Sequence, residues 1–235
     1  MANEFPMRIN KYLAYKGHAT RRGADEIIAR GEVFLNGRPA KLGDIVQEND
    51  TVEVKNSEPK TYVYYAYYKP KGVITHSPEE GEQSIEDNIR GRIHDEVFPV
   101  GRLDKASHGL IMLTNDGRLT ERLLSPDHAH EKEYEVTVDK TVKGIFMKDL
   151  EKGVDIEGYK TKPAKARRIS EHKFSLTITE GKKHQIRRMC AALGYVVKDI
   201  KRVRIMDVRL GELTPGQFRK LTKKEAEKLL DINPK

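Results

Sequence analysis

Three short runs of this chain carry side chains able to do chemistry. The first reads Phe98-Pro99-Val100-Gly101-Arg102-Leu103-Asp104-Lys105-Ala106-Ser107-His108-Gly109 and leads into the apolar run Leu110-Ile111-Met112-Leu113-Thr114. It sets one carboxylate, Asp104, in a glycine-flanked loop beside a fixed cation, Arg102, with a strand behind it to hold the acid still. The second, Glu131-Lys132-Glu133-Tyr134-Glu135-Val136, puts Tyr134 at the start of a strand. The third, Gly181-Lys182-Lys183-His184-Gln185-Ile186-Arg187-Arg188-Met189, is a loop feeding a helix that bears Arg187. A carboxylate can serve as nucleophile or base. A tyrosine can stack on a nucleobase. An arginine can hold a carboxylate ionised or contact phosphate.

Taken singly, each residue has a plainer use. Asp104 could cap a turn, Tyr134 could be a core tyrosine, and Arg187 and Arg188 could both contact phosphates. His184 has no second His or Cys at ligand spacing, so no metal is expected. His108 and His128 are expected at the surface or facing a ligand.

The elements that must position these runs follow from periodicity. Tyr62 to Tyr68 is rich in strand formers and ends at Lys69-Pro70-Lys71-Gly72. Further strands are expected at 109–114, 132–138, 164–169, 173–179 and 201–210, and helices at 117–124, 143–151, 183–193 and 222–230. Strands outnumber helices and no regular βαβ alternation occurs, so the class is α+β, on a mixed, mainly antiparallel sheet.

Residues 7–56 form a separate unit. Met7 to Leu13 predicts a short helix stopped by Gly17; Thr20 is a good N-cap for a second helix, Arg21 to Arg30, with Gly31 after it. Val33-Phe34-Leu35 and Arg38-Pro39-Ala40 flank an Asn36-Gly37 hairpin turn, and Thr51 to Val54 closes the unit. Gly23 weakens the second helix. Residues 57–61 read as a polar linker, leaving 62–235 as the larger domain.

Charge points to the partner. The 235 residues carry net +8, and residues 160–220 alone hold 17 Lys/Arg against 5 Asp/Glu, a local net of +12. A basic face of that density favours a polyanion. The stretch from Lys160 to Arg168 suits phosphate contact rather than chemistry. The one cysteine, Cys190, excludes an intrachain disulfide, fits a reducing cytoplasm and suits buried packing. No apolar run reaches membrane-spanning length, and no leader peptide is expected. No long apolar surface helix calls for a dimer, so a monomer is expected.

The first unit resembles the S4 RNA-binding domain, on Arg8, Lys11 and Tyr12, on Thr20-Arg21-Arg22, and on Gly31 through Asn36-Gly37. The three separated runs, in this order, are similar to those of pseudouridine synthases of the RsuA branch, which act on single uridines in ribosomal RNA. Within that branch, Asp104-Lys105 with Ser107 and Gly109, His130 to Tyr134, and Arg204-Ile205-Met206 look closest to a member that modifies 23S rRNA near the peptidyl-transferase centre. The resemblance implies roles by position. Asp104 is the catalytic aspartate and Arg102 fills the space left by the displaced uridine. Tyr134 stacks on the target base, and Arg187 pairs with the catalytic carboxylate. Arg8, Lys11, Arg21, Arg22, Lys182, Lys183 and Arg188 would contact RNA. It implies no cofactor, because turning uracil from its N1 to its C5 linkage needs neither a redox step nor a group donor. A non-catalytic S4-type RNA-binding protein explains the charge but not the three runs together. An S4-bearing methyltransferase would need a glycine-rich strand–helix turn for its donor, which is absent from the sequence.

Overall fold

The computed structural model describes residues 5–19, 21–55, 61–124 and 130–230. The expected N-cap Thr20, most of the expected linker and His128 lie outside them, as does the side chain of Arg22. The N-terminal part comprises β1 (Met7–Arg8), α1 (Ile9–Tyr15), α2 (Arg21–Ala29), β2 (Val33–Leu35), β3 (Arg38–Pro39), β4 (Ile45–Val46) and β5 (Val52–Val54). Ile9, Leu13, Ile28, Val33 and Val46 meet in its core. The expected helix from Met7 begins instead at Ile9. Met7 and Arg8 pair with Val46 and Ile45, a long-range ladder that overrides the local helical pattern.

The larger part follows as β6 (Tyr64–Lys69), α3 (Ile85–Ile89), β7 (Phe98–Val100), β8 (His108–Thr114), α4 (Gly117–Leu124) and β9 (Lys132–Val138). Next come α5 (Gly144–Lys152), β10 (Asp155–Ile156), β11 (Tyr159–Lys160), β12 (Lys165–Arg168), β13 (Lys173–Ile178) and α6 (Gln185–Ala192). The chain continues with β14 (Val197–Ile205), β15 (Val208–Arg209), β16 (Phe218–Lys220) and α7 (Lys223–Leu230). One sheet runs β12-β13-β9-β14-β8-β6-β16, with β15 on β14 and β7 on β8. It is antiparallel except where β14 meets β8. The strand expected over 201–210 is two, β14 and β15, because Met206 takes φ 49° and turns the chain back into a hairpin.

Strand β8 shows why its sequence is continuously apolar. Leu110 and Met112 pack with Leu119, Leu123 and Leu229 under α4 and α7, whereas Ile111 and Leu113 pack with Ile85 and Ile89 of α3. A strand buried on both faces has no polar side to show. Strand β9 alternates instead. Tyr134, Val136 and Val138 face a core with Phe146, Phe174, Met189 and Cys190. On the other face Glu133 pairs with Arg204 and Glu135 with Lys173. Each fully buried aliphatic side chain contributes about 1.5–3 kcal/mol.

The sheet forks at β8. Strand β14 pairs with it only at His108 and Gly109, and β7 only at Met112 to Thr114. Residues 101–107 bridge the fork. His108, expected at the surface or facing a ligand, is half-buried there. Its Nδ1 lies 2.7 Å from the Tyr68 hydroxyl and its Nε2 2.8 Å from Asp199, because the ladder sets it opposite Lys201 on the face that Asp199 shares.

Candidate active site

The fork loop is fastened carbonyl by carbonyl. Gly101 O lies 3.3 Å from His76 Nε2, and Arg102 O accepts from Arg202 Nη1 at 3.3 Å. Leu103 O accepts from Thr75 Oγ1 at 2.9 Å, and Asp104 O from Ser107 N at 2.9 Å. Lys105 O accepts from Gly72 N at 2.8 Å and Ala106 O from Arg187 Nη2 at 3.4 Å. A loop with its carbonyls from Gly101 to Ala106 engaged holds its side chains in one geometry, which is what preorganised chemistry requires.

The Asp104 side chain is left 39% exposed, and it opens into a cleft of about 440 Å³. That volume is in the range of small-ligand sites. Tyr134, on β9, and Ile178 and Ile200, on β13 and β14, form its sheet side. Tyr134 is 8% exposed, and its hydroxyl finds no hydrogen-bond partner among the described residues. Arg102, Lys182, Lys183 and Arg187 bring cations to the walls.

The opposite wall is the loop before α6. Buried Gln185 accepts from Lys182 N at 2.9 Å and donates to Glu180 at 2.7 Å. Glu180 also accepts from Tyr159 OH at 2.6 Å and from Lys162 N at 3.0 Å. These bonds fix the loop and set His184 at φ 53°, ψ 27°, a left-handed conformation that a non-glycine residue holds only at a cost. His184 Nε2 thereby stands 3.7 Å from Asp104 Oδ1.

Of the residues expected to act, Asp104, Arg102, Tyr134, Lys182, Lys183 and Arg187 share this cleft. Arg187 makes no ion pair with Asp104. Its guanidinium lies 3.4 Å from both Ala106 O and Val197 O, so it braces the loop instead. Arg188 turns away, donating to Glu157 at 2.7 Å and to Ile156 O at 3.0 Å. Arg8 and Arg21 are exposed and Lys11 is half-buried in the N-terminal unit, with Arg8 on β1 rather than on the first helix.

Residues that sequence reasoning missed lie beneath the loop. Lys69 is fully buried and donates to Pro70 O at 2.9 Å and Val73 O at 2.6 Å. Burial pulls its ammonium down to about 8, with Asp104 opposing the drop and Arg202 adding to it. Thr75 and Arg202 are buried as well. Cys190 lies within the core, where burial pushes its thiol up to about 12. Among the described residues, no group of three or more His, Cys, Asp or Glu side chains stands ready to hold a metal. No helix there is long and apolar enough to cross a membrane.

Comparison with known proteins gives one answer. A family model described as RNA pseudouridylate synthase matches residues 63–192, and an S4 domain model matches residues 7–52. The dual-specificity RNA pseudouridine synthase RluF of Escherichia coli K12 is 41% identical over 99% of this chain and 80% of its own length. The ribosomal large subunit pseudouridine synthase B of Bacillus subtilis is 35% identical over 94% of this chain and 95% of its own. A crystal structure of a pseudouridylate synthase superposes with a TM-score of 0.71 at 32% identity, covering 95% of this chain and 99% of that one.

Proposed function

The chain belongs to the RNA pseudouridine synthase family, and from that premise we propose that it isomerises one class of uridine in ribosomal RNA, most simply in 23S rRNA. The S4 unit (7–56) and the catalytic unit (62–235), joined by residues 57–61, would grip the RNA together, in the cytoplasm and as a monomer. Either free 23S rRNA or an assembling large subunit would present such a uridine.

The observation that carries this reading is the meeting of Asp104 and Tyr134 in one cation-rimmed cleft. A uridine inside a helix cannot turn, so it must leave the stack, at a cost of about a few kcal/mol. Tyr134 would offer the flipped base a stacking surface, and Arg102 would fill the gap it leaves. Asp104 then breaks the N1–C1′ bond, acting on the sugar or the ring. Uracil turns within the cleft, C5 joins C1′, C5 gives up its proton and N1 gains one. Atoms and electrons balance without a co-substrate.

The test is Asp104→Asn on 5-tritiated uridine RNA. The variant should fold and bind RNA as the wild type does and release no tritium; normal release overturns the assignment. Carbodiimide mapping of ribosomal and transfer RNA with and without the protein then names the uridine, and loss of a 16S or tRNA position in place of a 23S one would redirect the substrate. Binding should weaken steeply as salt rises, since Lys and Arg displace counterions from phosphates.

A further inference from the structure

Where the sheet forks, the carbonyls of Arg102 and Leu110 face a gap in the ladder. Strand β7 pairs Phe98 with Thr114, Pro99 with Leu113 and Val100 with Met112. Continued inward, that register would set Arg102 opposite Leu110, but the ladder stops and the chain leaves into the Asp104 loop. Strand β14, on the other prong, has its last pair with β8 at Arg202 and Gly109. Gly109 sits so close that a Cβ there would lie 2.3 Å from Arg202 O, at φ +106°.

The Arg202 side chain fills this gap. Its Nε donates to Leu110 O at 2.7 Å and its Nη1 reaches Arg102 O at 3.3 Å. The guanidinium thus stands in for the missing ladder, across the two residues where the loop departs and returns. Arg202 is also the cross-strand partner of Tyr134. One residue therefore touches the take-off of the Asp104 loop and the strand position of the stacking tyrosine.

The energetics argue against a purely stabilising role. Arg202 is 4% exposed, forms no ion pair with a carboxylate among the described residues, and its Nη2 is buried without a hydrogen-bond partner there. A buried cation without a counter-charge is costly, and an apolar side chain is often the more stable choice. The charge is felt nearby: burial first, and the Arg202 guanidinium after it, hold the ammoniums of buried Lys69 and half-buried Lys132 below their ordinary range.

We infer that Arg202 is a positioning residue of the reaction, which clamps the two ends of the Asp104 loop and registers the carboxylate against Tyr134. The inference rests on Asp104 being the catalytic carboxylate. Arg202 touches neither base nor sugar; it acts through the loop's backbone.

The experiment compares Arg202→Met, Arg202→Lys and Asp104→Asn in the full chain. It measures melting temperature, RNA affinity, single-turnover tritium release, and hydrogen exchange of amides 101–110. Lys keeps the charge but lacks the fork needed to serve two carbonyls. Both Arg202 variants should bind RNA within about twofold of wild type and react about 100-fold more slowly, as a catalytic group misplaced by about 1 Å does. Faster exchange should be confined to 101–110. A purely structural Arg202 would lower the melting temperature and leave the single-turnover rate of folded protein unchanged; that result, or a fully active Arg202→Lys, overturns the inference. Should the Met variant not fold, the Lys variant decides alone. Turnover by Asp104→Asn would overturn the catalytic reading itself, whereas an inert Asp104→Asn beside a fully active Arg202→Lys overturns the clamp and nothing else.

Discussion

Thr75 holds Leu103 from both sides: its hydroxyl donates to the Leu103 carbonyl at 2.9 Å and accepts from the Leu103 amide at 3.2 Å. Both bonds are buried, and Leu103 is the neighbour of Asp104. The pair behaves as a rung of sheet made with a side chain. Thr75→Val keeps the shape and removes both partners, leaving a buried N–H and C=O unpaired at a cost of about 1–3 kcal/mol. Thr75→Ser should keep most of the stability. Denaturant unfolding of the two variants checks the difference, and tritium release should fall with Val and persist with Ser.

Tyr134 offers two groups that separate by substitution: a ring that stacks on the base, and a hydroxyl that, like a water, can accept the C5 proton. Tyr134→Phe keeps the stacking face, so RNA affinity should match wild type. If the hydroxyl takes part in removing the C5 proton, tritium release drops by about 100-fold or more, in the range of general-base catalysis. Tyr134→Ala also loses stacking worth about 1–3 kcal/mol, and binding of RNA carrying an unpaired target uridine should weaken accordingly. Full tritium release by Tyr134→Phe would leave stacking as the tyrosine's only part.

Much of this was legible in local pattern. The alternation of Tyr134, Val136 and Val138 gives β9 its bounds, and Leu119 and Leu123, one turn apart, give α4 its own. Helix α3 escaped because five residues carry too little periodicity, although Ser84 and Asp87 form a capping box that marks its start. The Met206 turn escaped because neither Gly nor Asn announces its left-handed residue. In the site, Asp104 and Tyr134 stand out by motif. Thr75, Lys69 and Arg202 do not, since each acts through carbonyls or charges that only the tertiary fold brings near. The resemblance put Arg187 on the carboxylate, but its reach from α6 ends on the loop backbone.

Lys69 should make stability depend on pH. In the folded chain burial holds its ammonium down to about 8, against the ordinary 10.5 in the unfolded chain. Between those values the unfolded chain binds more protons, so stability rises with pH. From near pH 7.5 to near pH 9.5 the gain is at most about 2 kcal/mol. Above pH 10 the trend reverses, because burial pushes Tyr65 and Tyr67 up to about 12 and the folded chain then holds the extra protons. Denaturant unfolding across this range should show the rise in wild type and its loss in Lys69→Met. Equal slopes for the two proteins would remove Lys69 as the cause.

Gly17 joins the two halves of the molecule. Its carbonyl accepts from the Tyr62 hydroxyl at 2.7 Å, the Arg118 guanidinium lies 4.4 Å from the Tyr62 ring centroid, and Asp116 holds Arg118. Helix α1 packs on α4 beside this contact. Gly17 has φ +80°, and a Cβ there would lie 1.6 Å from the Tyr62 hydroxyl oxygen. Gly17→Ala must therefore expel the tyrosine, whereas Tyr62→Phe deletes the bond and keeps the ring, at a cost of about 1 kcal/mol. The active-site cleft is untouched by either change. Gly17→Ala should free the N-terminal unit to swing, which small-angle scattering reads as a larger radius of gyration. Affinity for long ribosomal RNA should fall while the single-turnover rate at saturating RNA stays at the wild-type value, and Tyr62→Phe should lie between. An unchanged radius and affinity in Gly17→Ala would mean that this contact does not set how the two units face the RNA.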